Sequence, residues 1–576
     1  MGQHARTLVG CIVVALLVVS ATGAAVTSVG ADSTASTELI VETQDRIDDD
    51  SSLGSAENTD GDNVYASIQS AIDAAPNGAT INVTRGTYNE TILIDKPNIK
   101  LTGNASGESV GPGANAPVLD ANNNRGYGIN LTANADDVVI EGFEIREYSA
   151  VAIFPKTGRT ETSRNLTVRD NSFTDTRSAV LFFSRYDGAK HKQHTVTRND
   201  ITDTSYGVNI IGRTGVSNIE GISITENSIS SVNQDGVQLI AFDDNATISG
   251  VTVRDNDIDN ANRYGVELTA FNTDTKISNV DIDRNDILNT QNSVRIRAPS
   301  GASISTVDIR YNDLVNAVNG TFVNAPATNG VTLRYNTITG NDKYGVVTLG
   351  DDILSAERNW WGDASGPTVA TSASAASNSV SENVSYEPYL TRTVDVQDGQ
   401  APISERTTVA VTASAADVAG YELELEFDTS VVNVTAVEDG DFPTPTVNVD
   451  NENGTVRFTQ ATSDSRDTPA LARVEFNVTA AGSTDVTVDQ TNSTLFDVNG
   501  EAIESVSFDA GVVENSVPGD GDVNGDEQVD AGDVVLLQRY IVGDDVDIDT
   551  DAADVDGDGD IDPADVLLIK QAIVEG

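Results

Sequence analysis

The apolar positions of this chain fall into short alternating runs that keep step with an asparagine. Val251-Thr-Val-Arg254 precedes Asn256, Ile258 follows it, and about seven residues later a second run opens with Gly265-Val266. The same order of events surrounds Asn171, Asn199, Asn227, Asn285, Asn312, Asn336 and Asn359, at a period of roughly 23 to 29 residues. Each period holds two or three β-branched runs and no helical spacing, which predicts short strands. A unit of this size buries no apolar face alone, but stacked on its neighbours it encloses a continuous aliphatic column. The asparagines then superpose at an inward corner, where each amide both donates and accepts and the stack satisfies itself along the axis.

The stretch from Glu141 to Trp361 resembles the right-handed parallel β-helix of the pectin-lyase-like class. An antiparallel sandwich with strands at similar spacing is the alternative, and it leaves eight in-phase asparagines unexplained. Tyr65 to Ala75 reads as a short amphipathic helix stopped by Pro76 and Gly78, with strands at Thr80–Val83 and Thr91–Ile94. This opening resembles the cap that covers the exposed end of such a coil. At the far end, Asn359-Trp-Trp-Gly-Asp-Ala-Ser-Gly-Pro367 resembles the closing motif of NosD-type β-helices, and its two tryptophans are expected to plug the column.

Beyond a Ser/Ala-rich connector at Ser372–Ser381 the runs lengthen, as at Tyr421–Phe427 and Leu471–Asn477. Gly420-Tyr-Glu-Leu-Glu-Leu-Glu-Phe-Asp428 and the closing Gly511-Val-Val resemble the cohesin family, a jelly-roll β-sandwich that receives dockerins. The last segment repeats a ligand spacing at a separation of 32 residues. Asp522, Asn524, Asp526, Gln528, Asp530 and Asp533 precede one apolar helix; Asp554, Asp556, Asp558, Asp560, Asp562 and Asp565 precede another. Oxygen ligands at loop positions 1, 3, 5, 9 and 12, with a backbone carbonyl at 7, describe a Ca²⁺ loop feeding a helix. The duplication is similar to a type I dockerin, with Glu527 departing from the usual glycine at position 6 of the first loop.

The fold class expected is therefore mostly β: a right-handed parallel β-helix, a cohesin-like sandwich and a small α-helical Ca-binding dockerin. Its boundaries are a signal peptide at 1–25, an acidic linker at 26–60, the β-helix at 61–390 with its cap at 61–100, the sandwich at 391–515 and the dockerin at 518–576. The signal peptide rests on His4 and Arg6, an apolar run from Leu8 to Val19, and small residues at Ala24 and Ala25. After its cleavage no apolar stretch of membrane-spanning length remains, so an extracellular or cell-surface location is expected.

A formal net charge of −55 excludes nucleic acid as a partner, because phosphate would be repelled. The composition resembles that of proteins from salt-loving archaea, whose carboxylate surfaces work in salt that screens the repulsion. Cys11 and Met1 are the only sulfur residues, which leaves the cleaved chain without disulfide, thiol nucleophile or soft metal ligand. Sequons such as Asn82, Asn130, Asn245 and Asn433 offer glycosylation sites.

Catalysis is left open by the residues. Asp243, Asp244 and Arg263 are the candidate catalytic trio, as the Asp-bound Ca²⁺ and arginine base that a pectate-lyase reading needs. Asp235, Asp243 and Asp244 with Arg295 and Arg297 resemble a polygalacturonase acid-and-base set only faintly, since Asp235 and Asp243 lie about a third of a coil apart and Arg263-Tyr-Gly-Val-Glu267 stands where that family carries Gly-His-Gly. His191 and His194, beside Lys190 and Lys192, read as surface-loop histidines, and two imidazoles without Cys or Met make a poor copper site. The expected activity is calcium-dependent assembly with cohesin or dockerin modules of sister proteins while the β-helix binds extracellular polysaccharide. The alternative is a polysaccharide lyase or glycoside hydrolase displayed through its dockerin.

Overall fold

The computed structural model describes residues 37–42, 63–103, 116–122, 126–213, 217–299, 301–325, 330–370, 377–480, 482–515, 521–526, 528–557 and 559–575. The expected signal peptide, most of the expected linker, Glu527 and Asp558 lie outside them.

The first unit is a parallel β-solenoid. Each coil gives one strand to each of three sheets, as Asn218–Thr225, Ser228–Ser230 and Asp235–Ala241 do in turn. Among the described residues the three sheets hold 15, 10 and 12 strands, all paired parallel with coil neighbours in register. Aliphatic residues stack inside: Ile201, Ile229, Ile258, Ile287, Leu314 and Ile338 form one fully buried column behind the second sheet.

The turn between the first and second sheets requires a left-handed residue. Asp170, Arg198, Glu226, Asp255, Arg284, Tyr311, Tyr335 and Arg358 all have φ between 52° and 59°. A side chain in that conformation costs roughly 1–2 kcal/mol. The asparagine after each one offsets the cost. Asn256 Nδ2 donates to Ile224 O at 2.9 Å, to Arg254 O at 3.0 Å and to Asn285 Oδ1 at 2.9 Å. Its own Oδ1 accepts from both nitrogens of Asn227, at 3.0 and 2.9 Å. The pattern runs unbroken from Asn171 to Asn359.

The helix Ile68–Ala74 covers the N-terminal end, its Ile68, Ala71 and Ile72 buried in the solenoid core. Ser67 caps it through Ser70 N, and the Glu90 carboxylate accepts from Ile68 N and Gln69 N, so the exposed amides of the first turn are paired. At the other end Trp361 joins the core against Gly345. Two expectations need correction. Within the supposed linker, Glu38–Val41 is a strand of the first sheet, paired to Val64–Tyr65 and Thr80–Val83, because Leu39 and Val41 complete the core there. The connector also ends inside the solenoid, with Ser379–Ser381 in the third sheet and Val384–Ser385 in the first.

The second unit, from Thr393 to Asn515, is a β-sandwich. One sheet orders Val432–Asp439, Ala470–Val478, Arg406–Ala413, Thr393–Val396 and Ser507–Asp509. The other is centred on Val418–Glu426 and Thr455–Arg466, with Tyr421, Leu423, Leu425 and Phe458 turned into a shared core. It meets the solenoid through the Arg284–Asp417 ion pair at 2.8 Å and the Tyr311 hydroxyl donating to Asp467 at 2.9 Å. The third unit packs Ala531–Ile541 against Pro563–Glu575 around Val523, Leu537, Ala553 and Ile569.

Replacing one ladder member tests the corner directly. Asn256→Ala leaves the amide of Asn227 and the carbonyls of Ile224 and Arg254 unpaired beside a strained turn, and should cost about 2–4 kcal/mol in denaturant unfolding.

Candidate functional site

Register brings together residues that lie a coil apart in sequence. On the third sheet Asn209, Gln238, Glu267 and Arg295 occupy one row, on four successive coils. A second row holds Asp235, Tyr264 and Asn292. Gln238 Nε2 donates to Asp235 Oδ2 at 2.6 Å and to Glu267 Oε2 at 2.8 Å, so one amide ties the two carboxyl groups together. Asp235 has no exposed surface and Glu267 is 3% exposed. Among the described residues Asp235 Oδ1 receives no hydrogen bond, and the nearest cation is Arg263 Nε at 3.6 Å. Burial first, then the charge of Glu267, push the Asp235 carboxyl up to about 7.

Guanidinium groups lie over this acid pair. Arg295 Nη1 bonds Glu267 Oε1 at 2.8 Å, and Thr269 donates to the same oxygen. Arg263 and Arg295 stack on the Tyr264 ring at 4.6 and 4.8 Å. Two residues further along the strand Asn292–Arg297, Arg297 lies 5.2 Å from the Phe271 ring. Phe271 and Phe242 are tilted together at 5.0 Å, with Arg213 over Phe242. At the N-terminal part of the same sheet, Tyr127 and Phe154 stack under Lys156. This face therefore alternates aromatic plates with cations.

The trio Asp243, Asp244 and Arg263 is not assembled. The two aspartates follow the C-terminal end of Asp235–Ala241, whereas Arg263 precedes the N-terminal end of Tyr264–Ala270. A strand length separates them, roughly 20 Å. Asp243 instead faces Arg213 at 3.8 Å, while Arg263 faces Asp235 and Glu267. The row was legible in principle. Asp235-Gly-Val-Gln238 and Tyr264-Gly-Val-Glu267 superpose once the Gly-Val pairs are aligned, which puts Gln238 on Glu267.

The histidines also need correction. Both lie in the strand Lys190–Thr197 with no exposed surface, and Phe182 stacks on His194 at 4.8 Å. His194 Nδ1 accepts from Leu166 N at 3.1 Å, and His191 lies against the Phe183 backbone. Burial holds His191 down at about 4, and burial with the neighbouring imidazole holds His194 well below its usual value.

The two C-terminal loops share one skeleton. Asp533 and Asp565, both fully buried, accept backbone amides from loop positions 3 and 9, namely Asn524 and Asp530 in one loop and Asp556 and Asp562 in the other. Gly525 and Gly557 both turn at φ 70°. Asp530 caps the helix Ala531–Ile541 in a reciprocal box with Asp533, and Ala564 N bonds Asp562 at the second helix. In the second loop Asp554, Asp556 and Asp565 each turn a carboxylate oxygen to within 4.8 Å of the others. An all-oxygen donor set that includes a buried carboxylate fits a hard cation such as Ca²⁺.

Three family models match successive segments: a right-handed beta helix region over residues 189–361, a cohesin domain over 393–514 and a dockerin type I domain over 520–574. The chain joins a β-helix, a cohesin domain and a type I dockerin. No curated protein matches it. Among solved structures, the third cohesin ScaC of Acetivibrio cellulolyticus, in complex with the ScaB dockerin, is 17% identical over 21% of this chain and 97% of its own, with a TM-score of 0.20. A non-cellulosomal cohesin of Archaeoglobus fulgidus is 21% identical over 22% of this chain and 91% of its own, with a TM-score of 0.20. The seventh ScaB type I cohesin of Pseudobacteroides cellulosolvens is 17% identical over 22% and 92%, also at 0.20. Cohesin and dockerin modules are extracellular as a class, and no helix among the described residues is long and apolar enough to cross a membrane. At loop positions 10 and 11 this dockerin carries Ala531 and Gly532, then Pro563 and Ala564, small residues that leave the helix starts open.

The buried histidines give the β-helix an acid limit. Unfolding returns His191 to about 6.5, so the unfolded chain binds the extra proton between about pH 6.5 and 4. Stability is complete above that window and falls as pH drops through it, by about 2 kcal/mol at pH 5 from this residue alone. Denaturation series at pH 7 and 5 should show the loss, and His191→Phe should reduce it.

Proposed function

We propose that this is a secreted or cell-surface modular protein. It joins calcium-dependent assemblies through its dockerin and its cohesin, and it carries a β-helix that binds extracellular polysaccharide. The observation that carries the assembly reading is the presence of both halves of one recognition pair on a single chain. Such a chain offers two different patches rather than one self-complementary patch, and heterologous contacts of that kind extend without closing. The partners are then dockerin or cohesin modules of sister proteins or of further copies of this chain.

Calcium enters through the two loops. Asp522, Asn524, Asp526, Gln528, Asp530 and Asp533 would hold one ion, and Asp554, Asp556, Asp558, Asp560, Asp562 and Asp565 the other. The bound ion supplies the positive charge that lets so many carboxylates face one another at the start of each helix. Polysaccharide binding is supported by the outward face of the third sheet, where rings such as Tyr127, Phe242 and Tyr264 offer plates for sugar rings and the adjacent cations offer donors. The enzyme alternative needs a carboxyl group that meets substrate. The Asp235–Glu267 pair on this face is buried beneath the arginines. That placement favours binding over cleavage.

Three measurements test the proposal. Sedimentation of the full chain with Ca²⁺ and isolated cohesin and dockerin modules should show complexes that a chelator dissolves; no complex with any module in Ca²⁺ defeats the assembly reading. Calorimetric titration of chelated chain should find two Ca²⁺ sites, and Asp565→Ala should leave one. Incubation of the chain with a panel of polysaccharides should give retention without new reducing ends, and release of reducing ends would establish the enzyme instead.

A further inference from the structure

The second calcium loop touches the cohesin domain of its own chain. Gln400 lies on Gly399–Ala401, the edge strand of the second sandwich sheet, and its Nε2 donates to Gly557 O at 3.0 Å. The two loops otherwise match: Gly557 and Gly525 occupy the same loop position and both turn at φ 70°. Yet Gly557 is buried and Gly525 is exposed. The seat also lies beside the strand from which the dockerin leaves. Gln400 pairs in register with Glu514, on the strand Gly511–Asn515, and five residues separate Asn515 from Gly521. That length of chain spans at most about 20 Å. The loop is therefore held near Gln400 at high effective concentration.

The seat selects the second loop. Gly559 stands beside Gln400, where an added Cβ would lie 2.8 Å from Nε2. The first loop carries Glu527 at the equivalent position, so seating that loop would push the Gln400 amide off its acceptor. Contact and ion ligands share one stretch of backbone. Gly559 N donates to Asp554 Oδ2 at 3.0 Å, and Asp554 groups with Asp556 and Asp565. Without an ion these carboxylates repel, and the turns that aim Gly557 O at Gln400 lose their support. We propose, on the calcium reading above, that Gln400 is a calcium-dependent latch. It fixes the dockerin on its own cohesin while the second loop holds its ion, and frees it when the ion leaves. Because the latch recognises the loaded loop, linkage requires it to raise the Ca²⁺ affinity of that loop by the same factor. One hydrogen bond to a neutral carbonyl sets that factor at about three- to tenfold. The two modules then keep one relative orientation only in Ca²⁺, so copies joined end to end follow a regular path.

The test uses the full chain with Cys11→Ser, and spin labels at Asn453→Cys on the sandwich and Lys570→Cys on the last helix, both exposed positions. In saturating Ca²⁺ the distances between labels should form one narrow distribution. Gln400→Ala and Gln400→Glu, on an edge strand, should broaden it while circular dichroism and two-site Ca²⁺ binding persist. In calorimetric titration Gln400→Ala should lower the affinity of one site about three- to tenfold. That site should be the one lost in Asp565→Ala. A broad distribution in the parent chain, no broadening in the variants, or an unchanged affinity at that site overturns the latch and leaves calcium-dependent assembly in place. No Ca²⁺ binding by the parent chain removes the calcium reading and the latch with it.

Discussion

A single hydrogen-bonded stack underlies the long solenoid. Every coil must bend sharply between its first and second sheets, and it does so through a residue held in the left-handed region. Glycine would adopt that conformation without strain, but it would give up an outward side chain at every corner. The chain instead places charged or aromatic residues there and lets the following asparagine bear the cost. Arg198 can then reach back to Asp170 across the coil gap, and Tyr311 can stack on Tyr335. Because each amide is both donor and acceptor to its neighbours, no corner is satisfied until the next is in place, and order propagates along the axis.

The same coupling explains why the chain needs its ends. A terminal coil lacks one neighbour, and its strands would expose unpaired edges. The Ile68–Ala74 helix with the Glu38–Val41 strand closes one side, and Trp361 closes the other. The sandwich meets the solenoid near the closed end through charged and hydroxyl contacts, so the two units join without either giving up its own core.

Much of this was legible from residue order. The asparagine period gave the coil, the alternating runs gave the sandwich strands, and the doubled ligand spacing gave the last pair of helices. What escaped notice has a common cause. Lys190-His-Lys-Gln-His194 is too polar to look like a core strand, and period-two alternation cannot place both histidines inside. Gln193 stands at φ 59°, in the column that Gly221, Gly250, Asn279, Thr306 and Gly330 occupy in later coils. That kink shifts the phase by one residue, so His191 and His194 both turn inward. The acid pair was hidden for a related reason: Asp235 and Glu267 meet across a coil, and their proximity depends on register. Glu38–Val41 was missed because four residues among polar neighbours show no period at all.

The in-register stacking also makes the third-sheet face a ruler. Each whole coil advances it by about 4.8 Å and presents one more outward rung in the same orientation. Duplication or loss of one repeat would lengthen or shorten that face by a fixed increment, while the turn chemistry, the core column and both caps stay as they were. A protein built this way has an inherited means of setting the length of its outward face, adjusted by copying a unit and not by redesigning a surface.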